Sequence, residues 1–387
     1  MVTLGFYMKV VLSVESVRFP LTGIGRYTYE LACGLQDDSL VEELVFFSGT
    51  RTSYTLPSPR SDAGGGYKLK RLVQNSYLAV ELYRLVMPSV RGRALKSYSD
   101  HIYHGTNFFV PPFAGRSLAT FHDLSPFTLS HFHSPQRNRY AQKEMEKSLK
   151  RASCLIAVSE FGRQEISKYF SWPMENIHTV HLASSGFFRP RMDSEVFETL
   201  MKYGLNPGRY SLYVGTIEPR KNIETLLDAY QKLPVATRQR WPLILSGYKG
   251  WRSEFIHERI RAAEREGWAR YLGFVDSEDL PALYSGARLF AFPSFYEGFG
   301  LPVLEALSSG VPVVCSNSSS LPEVSGGAAL LCDPLDVDAL ADNLKRALED
   351  EQWRVTAIQL GLCHAARFSW KECSRKTAEV YRKVMDK

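Results

Sequence analysis

The feature that most constrains the fold is the stretch at residues 290–324, which reads FAFPSFYEGFGLPVLEALSSGVPVVCSNSSSLPEV. An apolar aromatic run of strand length ends at Pro293, and a glycine-rich loop follows at residues 297–300. A helical segment then begins at Leu301 and ends at Gly310, before a second apolar strand. This strand–loop–helix–strand unit predicts a parallel α/β sheet with a ligand site at the carboxyl end of the first strand.

Two carboxylates belong to this unit, Glu297 in the loop and Glu305 about one turn into the helix. Helix starts favour anions, and carboxylates accept hydrogen bonds from hydroxyl groups. The combination predicts a site for a phosphorylated, hydroxyl-rich molecule. Its bare backbone amides belong to Gly298, Phe299, Gly300 and Leu301. Taken alone, Glu305 has an equally common alternative role, as an acidic partner of the helix dipole.

The run Glu-Gly-Phe-Gly-Leu-Pro-x-x-Glu-Ala, followed by Gly-x-Pro-Val-Val, resembles the E-x7-E signature of retaining glycosyltransferases of family 4. That family has the α/β GT-B fold, in which two Rossmann-like, doubly wound domains face a central cleft. The resemblance covers most of the chain. It implies that Glu297 faces hydroxyls of the donor sugar and that Glu305 holds the nucleotide ribose.

The resemblance also implies the domain organisation. We expect an acceptor-side domain at residues 1–187 and a domain that binds the nucleotide sugar at residues 188–369. A last helix at residues 370–387 should cross back to the first domain.

The run GTIEPRKN at residues 215–222 follows a strand-like segment and precedes a helical pattern. Two adjacent cations, Arg220 and Lys221, together with helix-start amides suit a diphosphate. The resemblance implies that an Arg and a Lys from this loop bind the donor diphosphate and stabilise the leaving group. We assign these roles to Arg220 and Lys221, although the family arginine often directly follows the glycine, where this chain has Thr216.

A second glycine loop lies near the amino terminus, with Gly23 and Gly25 expected just before a helix that begins near Tyr27. Glycines let the backbone approach a ligand, although such a loop is more often only a turn. A dinucleotide fingerprint is not present here, because Thr28 occupies the position of its third glycine. The resemblance implies that this loop lies beside the donor phosphates and sugar.

His122 and Asp123 stand at the end of another strand-like run. A lone histidine is more often structural, but the resemblance implies that His122 contacts the donor sugar with Asp123 as its orienting partner. His131 and His133 form an H-x-H pair with no further ligand at suitable spacing. The acids around Asp336 are typical of a capped helix start, so no metal site is expected.

The formal net charge of +6 is confined to residues 1–187, because the remainder carries equal numbers of basic and acidic residues. The segment at residues 67–98, with Lys68, Lys70 and Arg71, is basic and interleaved with apolar residues, as in interfacial amphipathic helices. The alternative is a solvated basic face over a packed apolar one. An anionic membrane surface or a charged acceptor therefore fits this half. Nucleic acid does not fit as a partner of this half, because the basic residues form no recognisable nucleic-acid-binding motif.

The sequence has no run of about 18 apolar residues, so no membrane-spanning helix is predicted. Its six scattered cysteines are typical of reduced thiols in a cytosolic protein. We therefore expect a cytoplasmic protein that binds peripherally at the inner face of the plasma membrane.

Taken together, the sequence predicts a metal-independent retaining glycosyltransferase without a separate cofactor. The runs GTIEPRKN and LTGIGRY resemble bacterial O-antigen and polysaccharide mannosyl- or rhamnosyltransferases. This resemblance implies a nucleoside-diphosphate hexose donor, with GDP favoured, and a lipid-linked glycan acceptor. Two alternatives remain: a non-catalytic GT-B partner subunit, and an NAD-dependent oxidoreductase, whose fingerprint the chain lacks.

Overall fold

A computed structural model of the protein describes residues 8–21, 23–58, 77–132 and 135–386. Contacts between residues divide the chain into two units, Met1–His181 with Trp370–Lys387, and Leu182–Ser369. The boundary predicted from the sequence follows residue 187, whereas residues 182–187 lie in the second unit. Within the described ranges, no helix is long and apolar enough to cross a lipid bilayer.

The first unit contains a seven-stranded sheet. Its strands are β1 Met8–Ser13, β2 Val41–Ser48, β3 Arg51–Ser53, β4 Ile102–Gly105, β5 Ser117–Phe121, β6 Cys154–Ala157 and β7 Ile177–Thr179. They lie in the order β3-β2-β1-β4-β5-β6-β7, and every pair is parallel except β2 with β3. The helices before the second unit are α1 Gly23–Gln36, α2 Tyr77–Ala94, α3 Ser125–Thr128, α4 Pro135–Leu149 and α5 Glu160–Phe170.

The apolar pattern explains how these elements pack. Val10, Val11 and Leu12 are all fully buried in β1, as expected for a parallel strand covered on both faces. Helix α1 buries Leu31 and Leu35, four residues apart, on the face that its helical period creates.

The second unit contains a six-stranded, all-parallel sheet in the order β10-β9-β8-β11-β12-β13. Its strands are β8 Ser211–Val214, β9 Leu243–Ser246, β10 Ala269–Gly273, β11 Leu289–Phe292, β12 Val313–Ser316 and β13 Ala329–Cys332. Its helices are α6 Asp193–Lys202, α7 Ile223–Lys232, α8 Val235–Arg240, α9 Glu254–Arg265, α10 Leu280–Ser285, α11 Leu301–Ser308, α12 Leu321–Ser325, α13 Val337–Glu349 and α14 Glu351–Ala365. This is the strand order of the dinucleotide-binding fold. The predicted pair of Rossmann-like domains is therefore confirmed.

The last helix, α15 Trp370–Met385, belongs to the first unit and packs against α1. The two helices approach so closely that a Cβ added at Gly34 would lie 2.4 Å from Ser374 Oγ. A glycine is therefore needed at this crossing. The return of the last helix to the first unit, expected from the sequence, is confirmed.

A buried polar chain joins α15 and α1 to the first sheet. His104 Nδ1 lies 2.7 Å from the Tyr381 hydroxyl, and His104 Nε2 lies 2.8 Å from Thr120 Oγ1. Thr120 Oγ1 in turn lies 2.8 Å from the Tyr27 hydroxyl. Burial lowers the pKa of His104 to about 3, so the imidazole is neutral at physiological pH.

Candidate functional site

The strand order of the second sheet reverses between β8 and β11. Open α/β sheets bind ligands at such a reversal, beyond the carboxyl ends of the strands, because the loops on either side leave in opposite directions. The loop after β8 carries Arg220 and Lys221 on a short 3-10 turn, Pro219–Lys221, and the loop after β11 carries Glu297. The fold therefore brings together three of the residues that the sequence singles out.

Lys221 and Glu297 form a buried ion pair. Lys221 Nζ donates to Glu297 Oε1 at 2.5 Å, and each residue is only 8% exposed. Burial would raise the pKa of Glu297, but the positive charges of Lys221 and Arg220 outweigh it and hold the pKa below its ordinary value. The Glu297 carboxylate is therefore ionised at neutral pH and able to accept a hydrogen bond from a hydroxyl group.

Arg220 makes several contacts with the protein itself. Its Nε and Nη2 donate to Glu218 Oε1 at 3.2 and 2.9 Å, and its Nη1 donates to the Tyr296 carbonyl at 2.6 Å. Nη1 also lies 3.4 Å from Glu297 Oε2. Burial raises the pKa of Glu218 even though Arg220 and Lys221 are close. Arg220 thus links the loop after β8 to the loop after β11.

The glycine-rich loop ends at Gly300, which precedes α11 with φ +108°. This left-handed conformation favours glycine, and an added Cβ would lie 2.7 Å from Leu321 Cδ2. Leu301 begins α11, so its amide and those of Gly298 and Phe299 lie at or before the positive end of the helix. The predicted anion-binding amides are therefore at the carboxyl end of β11.

Glu305 lies beside the buried Tyr284, and Phe299 contacts the half-buried Phe368. Burial and the neighbouring Glu305 carboxylate raise the pKa of Tyr284 well above its usual range, so its hydroxyl is protonated beside that carboxylate. The ring of Phe299 meets Phe368 edge-on at 6.0 Å between centroids. The ribose-binding role of Glu305 stays a prediction.

In the first unit, Gly23 and Gly25 lie inside α1, which begins at Gly23. The expectation that both glycines precede the helix is therefore wrong. A Cβ at Gly25 would lie 2.7 Å from the carbonyl oxygen of Ser16, so the first turn packs directly on the loop after β1. This loop leaves the sheet where its strand order reverses, between β1 and β4.

His122 follows β5, and its Nε2 lies 2.9 Å from the carbonyl oxygen of Thr106. A carbonyl only accepts, so Nε2 carries the proton and Nδ1 is the acceptor in the neutral ring. Burial lowers the pKa of His122, which favours that neutral form. Asp123 Oδ1 accepts from the amide and hydroxyl of Ser125 at the start of α3. The Thr106 carbonyl, rather than the expected Asp123, thus supplies the orienting hydrogen bond at Nε2.

The predicted absence of a metal site is not tested by this structure. His133, one half of the H-x-H pair, lies outside the described residues. Among the residues that the structure does describe, no group of three or more His, Cys, Asp and Glu is arranged to hold a metal ion. Asp336 Oδ1 accepts from the Ala339 amide at 2.9 Å, which confirms that Asp336 caps α13.

Sequence reasoning missed three kinds of residue around Glu297. Glu218 anchors Arg220, and the Asn222 side chain donates to the Pro293 carbonyl at 3.0 Å. Serines after β12 bind further backbone groups of the Glu297 loop. In the sequence, these residues are marked only by lying in or next to the runs at residues 215–222 and 290–324, because hydrogen bonds between loops leave no periodic pattern.

Comparisons with known proteins agree with this geometry. Residues 21–183 match the family model described as Glycosyltransferase Family 4, and residues 201–361 match the model described as Glycosyl transferases group 1. The chain is 46% identical over 379 residues to O-antigen chain mannosyltransferase B of Escherichia coli. The aligned region covers 97% of this chain and 100% of that protein.

Two further matches cover different extents. The serotype-specific mannosyltransferase WbdA of Escherichia coli is 32% identical over 278 residues, 70% of this chain but only 34% of that longer protein. The structure of HepE from Anabaena in complex with UDP-glucose has a TM-score of 0.73 at 18% identity, covering 97% of this chain and 100% of HepE. This structural likeness shows the fold alone. The two family models and the full-length relative show that the chain belongs to glycosyltransferase family 4 and is a glycosyltransferase of the GT-B fold.

Proposed function

We propose that this glycosyltransferase moves mannose from a nucleoside-diphosphate sugar to a growing cell-surface glycan in O-antigen synthesis. The observation that carries the proposal is the buried Lys221–Glu297 pair at the strand-order reversal of the second sheet. The relative that matches over its full length is named as an O-antigen chain mannosyltransferase. The sequence prediction left mannose and rhamnose open, and the names of the relatives favour mannose.

The charges of the site suit a diphosphate leaving group. Lys221 and the amides at the start of α11 supply positive charge where the diphosphate would lie. Charge that develops on the leaving group in the transition state would be stabilised by these fixed groups. Glu297 would then bind a hydroxyl of the donor sugar. These groups supply the charge that a divalent cation often provides, and metal independence is part of the proposal.

The proposal includes retention at the anomeric carbon, as the family resemblance implies. Attack would occur on the face from which the diphosphate leaves, and a diphosphate oxygen would accept the proton of the acceptor hydroxyl. The anomeric configuration of the product, read by NMR, tests this step, and an inverted product would overturn it. Transfer that persists in excess EDTA supports metal independence, and its loss would contradict it.

An aromatic pair supports a nucleotide as the donor. Tyr248 and Phe274 follow β9 and β10 at the same sheet edge, and their rings stack at 4.3 Å with 15° between the planes. The two side chains are 48% and 41% exposed. An exposed aromatic surface of this kind fits the flat face of a nucleobase. GDP remains the favoured base from the family resemblance.

The acceptor that we propose is a lipid-linked glycan at an anionic membrane surface. Its support is the net charge of +6 confined to residues 1–187. Arg93 and Lys96, near the end of the basic segment, are exposed. Arg91 is not available for a membrane, because it is 7% exposed and donates to Glu15 Oε1 at 2.7 Å.

A donor panel tests the proposal most directly. GDP-, UDP-, ADP- and dTDP-sugars are compared for their effect on the thermal unfolding temperature and for transfer to a mannose-terminated lipid-linked acceptor. GDP-mannose should give the largest stabilisation, because a ligand that binds only the native state raises its stability by mass action. A larger shift with another nucleotide would overturn GDP, and binding without transfer would favour the non-catalytic partner subunit. Binding of NADH alone, seen by its fluorescence, would favour the oxidoreductase.

A further inference from the structure

One backbone hydrogen bond joins the loop after β11 to the segment after β8, from the Phe295 amide to the Arg220 carbonyl at 3.0 Å, and side chains make further bonds to the loop backbone. From the β8 side, Asn222 donates to the Pro293 carbonyl and Arg220 donates to the Tyr296 carbonyl. Buried backbone polar groups must find partners, and a loop at the end of a strand has no neighbouring strand to supply them. Further partners come from the opposite side, where the chain leaves β12.

Serine hydroxyls occupy that opposite side. Ser316 Oγ donates to the Ser294 carbonyl. Ser318 Oγ lies 2.9 Å from the Phe295 carbonyl and 3.1 Å from the Ser294 carbonyl. These contacts fix the loop backbone two and three residues before Glu297.

The next two serines bind the backbone of Glu297 itself. The Glu297 amide donates to Ser319 Oγ at 2.9 Å. Ser320 Oγ lies 2.9 Å from the Glu297 carbonyl and 2.6 Å from the Phe299 carbonyl. Both backbone polar groups of Glu297 are therefore paired with serine hydroxyls.

Ser320 makes these contacts at the expense of its usual local role. It stands immediately before α12, where a serine side chain ordinarily accepts from an amide of the first turn. Its side chain makes no such cap, and the residue is fully buried. Its hydroxyl binds the Glu297 loop instead.

Ser319 adopts an uncommon backbone conformation, with φ +53°. Non-glycine residues rarely occupy this left-handed region, and strain of this kind concentrates at functional sites. In this backbone conformation, the Ser319 hydroxyl both donates one hydrogen bond and accepts another. Ser319 Oγ donates to the Ser318 carbonyl at 2.8 Å, which leaves its oxygen to accept from the Glu297 amide.

We propose that Ser319 and Ser320 are positioning residues that set the direction of the Glu297 carboxylate toward the donor sugar. The inference rests on the proposed function of that carboxylate. Lys221 fixes one carboxylate oxygen, whereas the two serines fix the peptide groups from which the side chain departs. Small displacements of a group that binds the transition state lower the turnover number disproportionately.

Two variants and one control separate positioning from general support. Ser320→Ala removes the hydroxyl from the loop carbonyls, and Ser319→Gly removes the amide acceptor while tolerating the positive φ. The control is Ser325→Ala, because Ser325 is as buried as Ser320 but donates to the Pro322 carbonyl of its own helix, α12. The affinities for GDP and for GDP-mannose are measured by calorimetry, together with kcat, the donor KM and the unfolding temperature.

Each loop variant should lower kcat about 5- to 10-fold, the range expected for one or two lost hydrogen bonds. The dissociation constant of GDP divided by that of GDP-mannose should fall toward one, because the donor sugar loses the correctly oriented Glu297 carboxylate. Affinity for GDP should stay within about twofold of the unmodified protein, since the diphosphate groups are unchanged. Ser325→Ala should resemble the unmodified protein.

A double-mutant cycle completes the test. If Ser320 acts through Glu297, Ser320→Ala should have little further effect on kcat in a Glu297→Gln background. Additive losses, or a parallel loss of GDP affinity and kcat in both variants, would mean that the serines only support the fold. Variants with unchanged kcat and an unchanged affinity ratio would also overturn the inference. Absence of transfer by the unmodified protein would instead count against the proposed function, while the affinity ratio would still report on the serines.

Discussion

Lys221 and Glu297 lie 76 positions apart in the chain, yet the Lys221 ammonium donates to the Glu297 carboxylate at 2.5 Å. Both residues are about nine-tenths buried, so each charge depends on the other for compensation. Removal of one member of such a pair leaves an uncompensated buried charge. Substitutions at either position should therefore change stability as well as chemistry, and the two effects must be measured separately.

The first prediction concerns Glu297→Gln, which keeps the volume of the side chain but removes its charge. Transfer should slow at least about 10- to 100-fold, because hydrogen bonds to a charged group contribute about 1.5–3 kcal/mol. The free energy of unfolding should fall by roughly 3–5 kcal/mol, because Lys221 loses its partner. Initial transfer rates and urea unfolding measure the two effects.

The matched control for this variant is Glu297→Gln combined with Lys221→Met. The double change removes both buried charges, so it should recover much of the lost stability without recovering transfer. A Glu297→Gln protein that transfers mannose at the normal rate would contradict the assignment.

The second prediction concerns Lys221→Ala and the leaving group. Affinity for GDP should weaken and transfer should slow, because in the proposed site the lysine charge would act on the diphosphate in the ground state and more strongly in the transition state. Lys232→Ala is the control, since Lys232 pairs with Asp338 at the surface and is 49% exposed. If GDP and UDP both bind Lys221→Ala normally and transfer continues at the usual rate, the diphosphate lies elsewhere.

Local sequence signals were sufficient to predict the elements of the site. The aromatic strand, the glycine loop and the proline in the first turn of α11 fall within 14 residues of one another, at positions 289–302, so their pattern is visible without the fold. The pairing of Lys221 with Glu297 is different. It depends on β8 and β11 becoming neighbours although β9 and β10 intervene in the chain, and no local pattern encodes that order.

Two errors also have physical causes. The apolar helical pattern begins at Tyr27, which predicts that Gly23 and Gly25 precede the helix, but α1 begins at Gly23, and the close approach of the Ser16 carbonyl leaves no room for a Cβ at Gly25. Arg91 belongs to the basic segment at residues 67–98, which the sequence predicts to face a membrane surface or solvent. It is buried against Glu15, and its guanidinium lies 4.6 Å from the centroid of the Phe109 ring.

The third prediction is a pH dependence of stability that arises from His104. Its pKa of about 3 in the folded protein lies below its ordinary value of 6.5, so between these values the unfolded chain binds more protons and stability rises with pH. Lowering the pH from 7 to 5 should therefore cost about 2 kcal/mol from this residue. Urea unfolding at the two pH values measures the loss.

His104→Gln provides the comparison for this prediction. The variant is expected to be less stable at pH 7, since glutamine cannot reproduce both contacts to Tyr381 and Thr120. Its stability should nevertheless change less between pH 7 and pH 5 than that of the unmodified protein. An equal pH dependence in both proteins would assign the titration to other groups.

The fourth prediction concerns membrane binding through Lys68, Lys70 and Arg71, which lie outside the described residues. The protein should sediment with anionic vesicles at low salt and be released at high salt, because each basic residue near such a surface contributes about 1 kcal/mol that salt screens. Changing the three residues together to Ser should weaken binding. Changing the exposed Arg261, Arg265 and Lys345 of the second unit to Ser is the control. If vesicles bind both triple variants equally, a soluble acceptor becomes the better explanation.

The last prediction distinguishes charge from geometry at Arg220. The sequence assigned this residue to the diphosphate, where a lysine would supply the same charge. In the structure its guanidinium spans Glu218 and the Tyr296 carbonyl, a planar arrangement of donors that a single ammonium group cannot reproduce. Arg220→Lys should therefore lower kcat/KM about 10-fold or more, because hydrogen bonds of the charged guanidinium to Glu218 and the Tyr296 carbonyl are lost. The affinity for GDP should fall less than it does in Lys221→Ala. Near-normal kinetics in Arg220→Lys would mean that transfer depends only on the positive charge at this position. The role in binding the diphosphate that the sequence predicts would then explain Arg220 better than its hydrogen bonds to Glu218 and Tyr296.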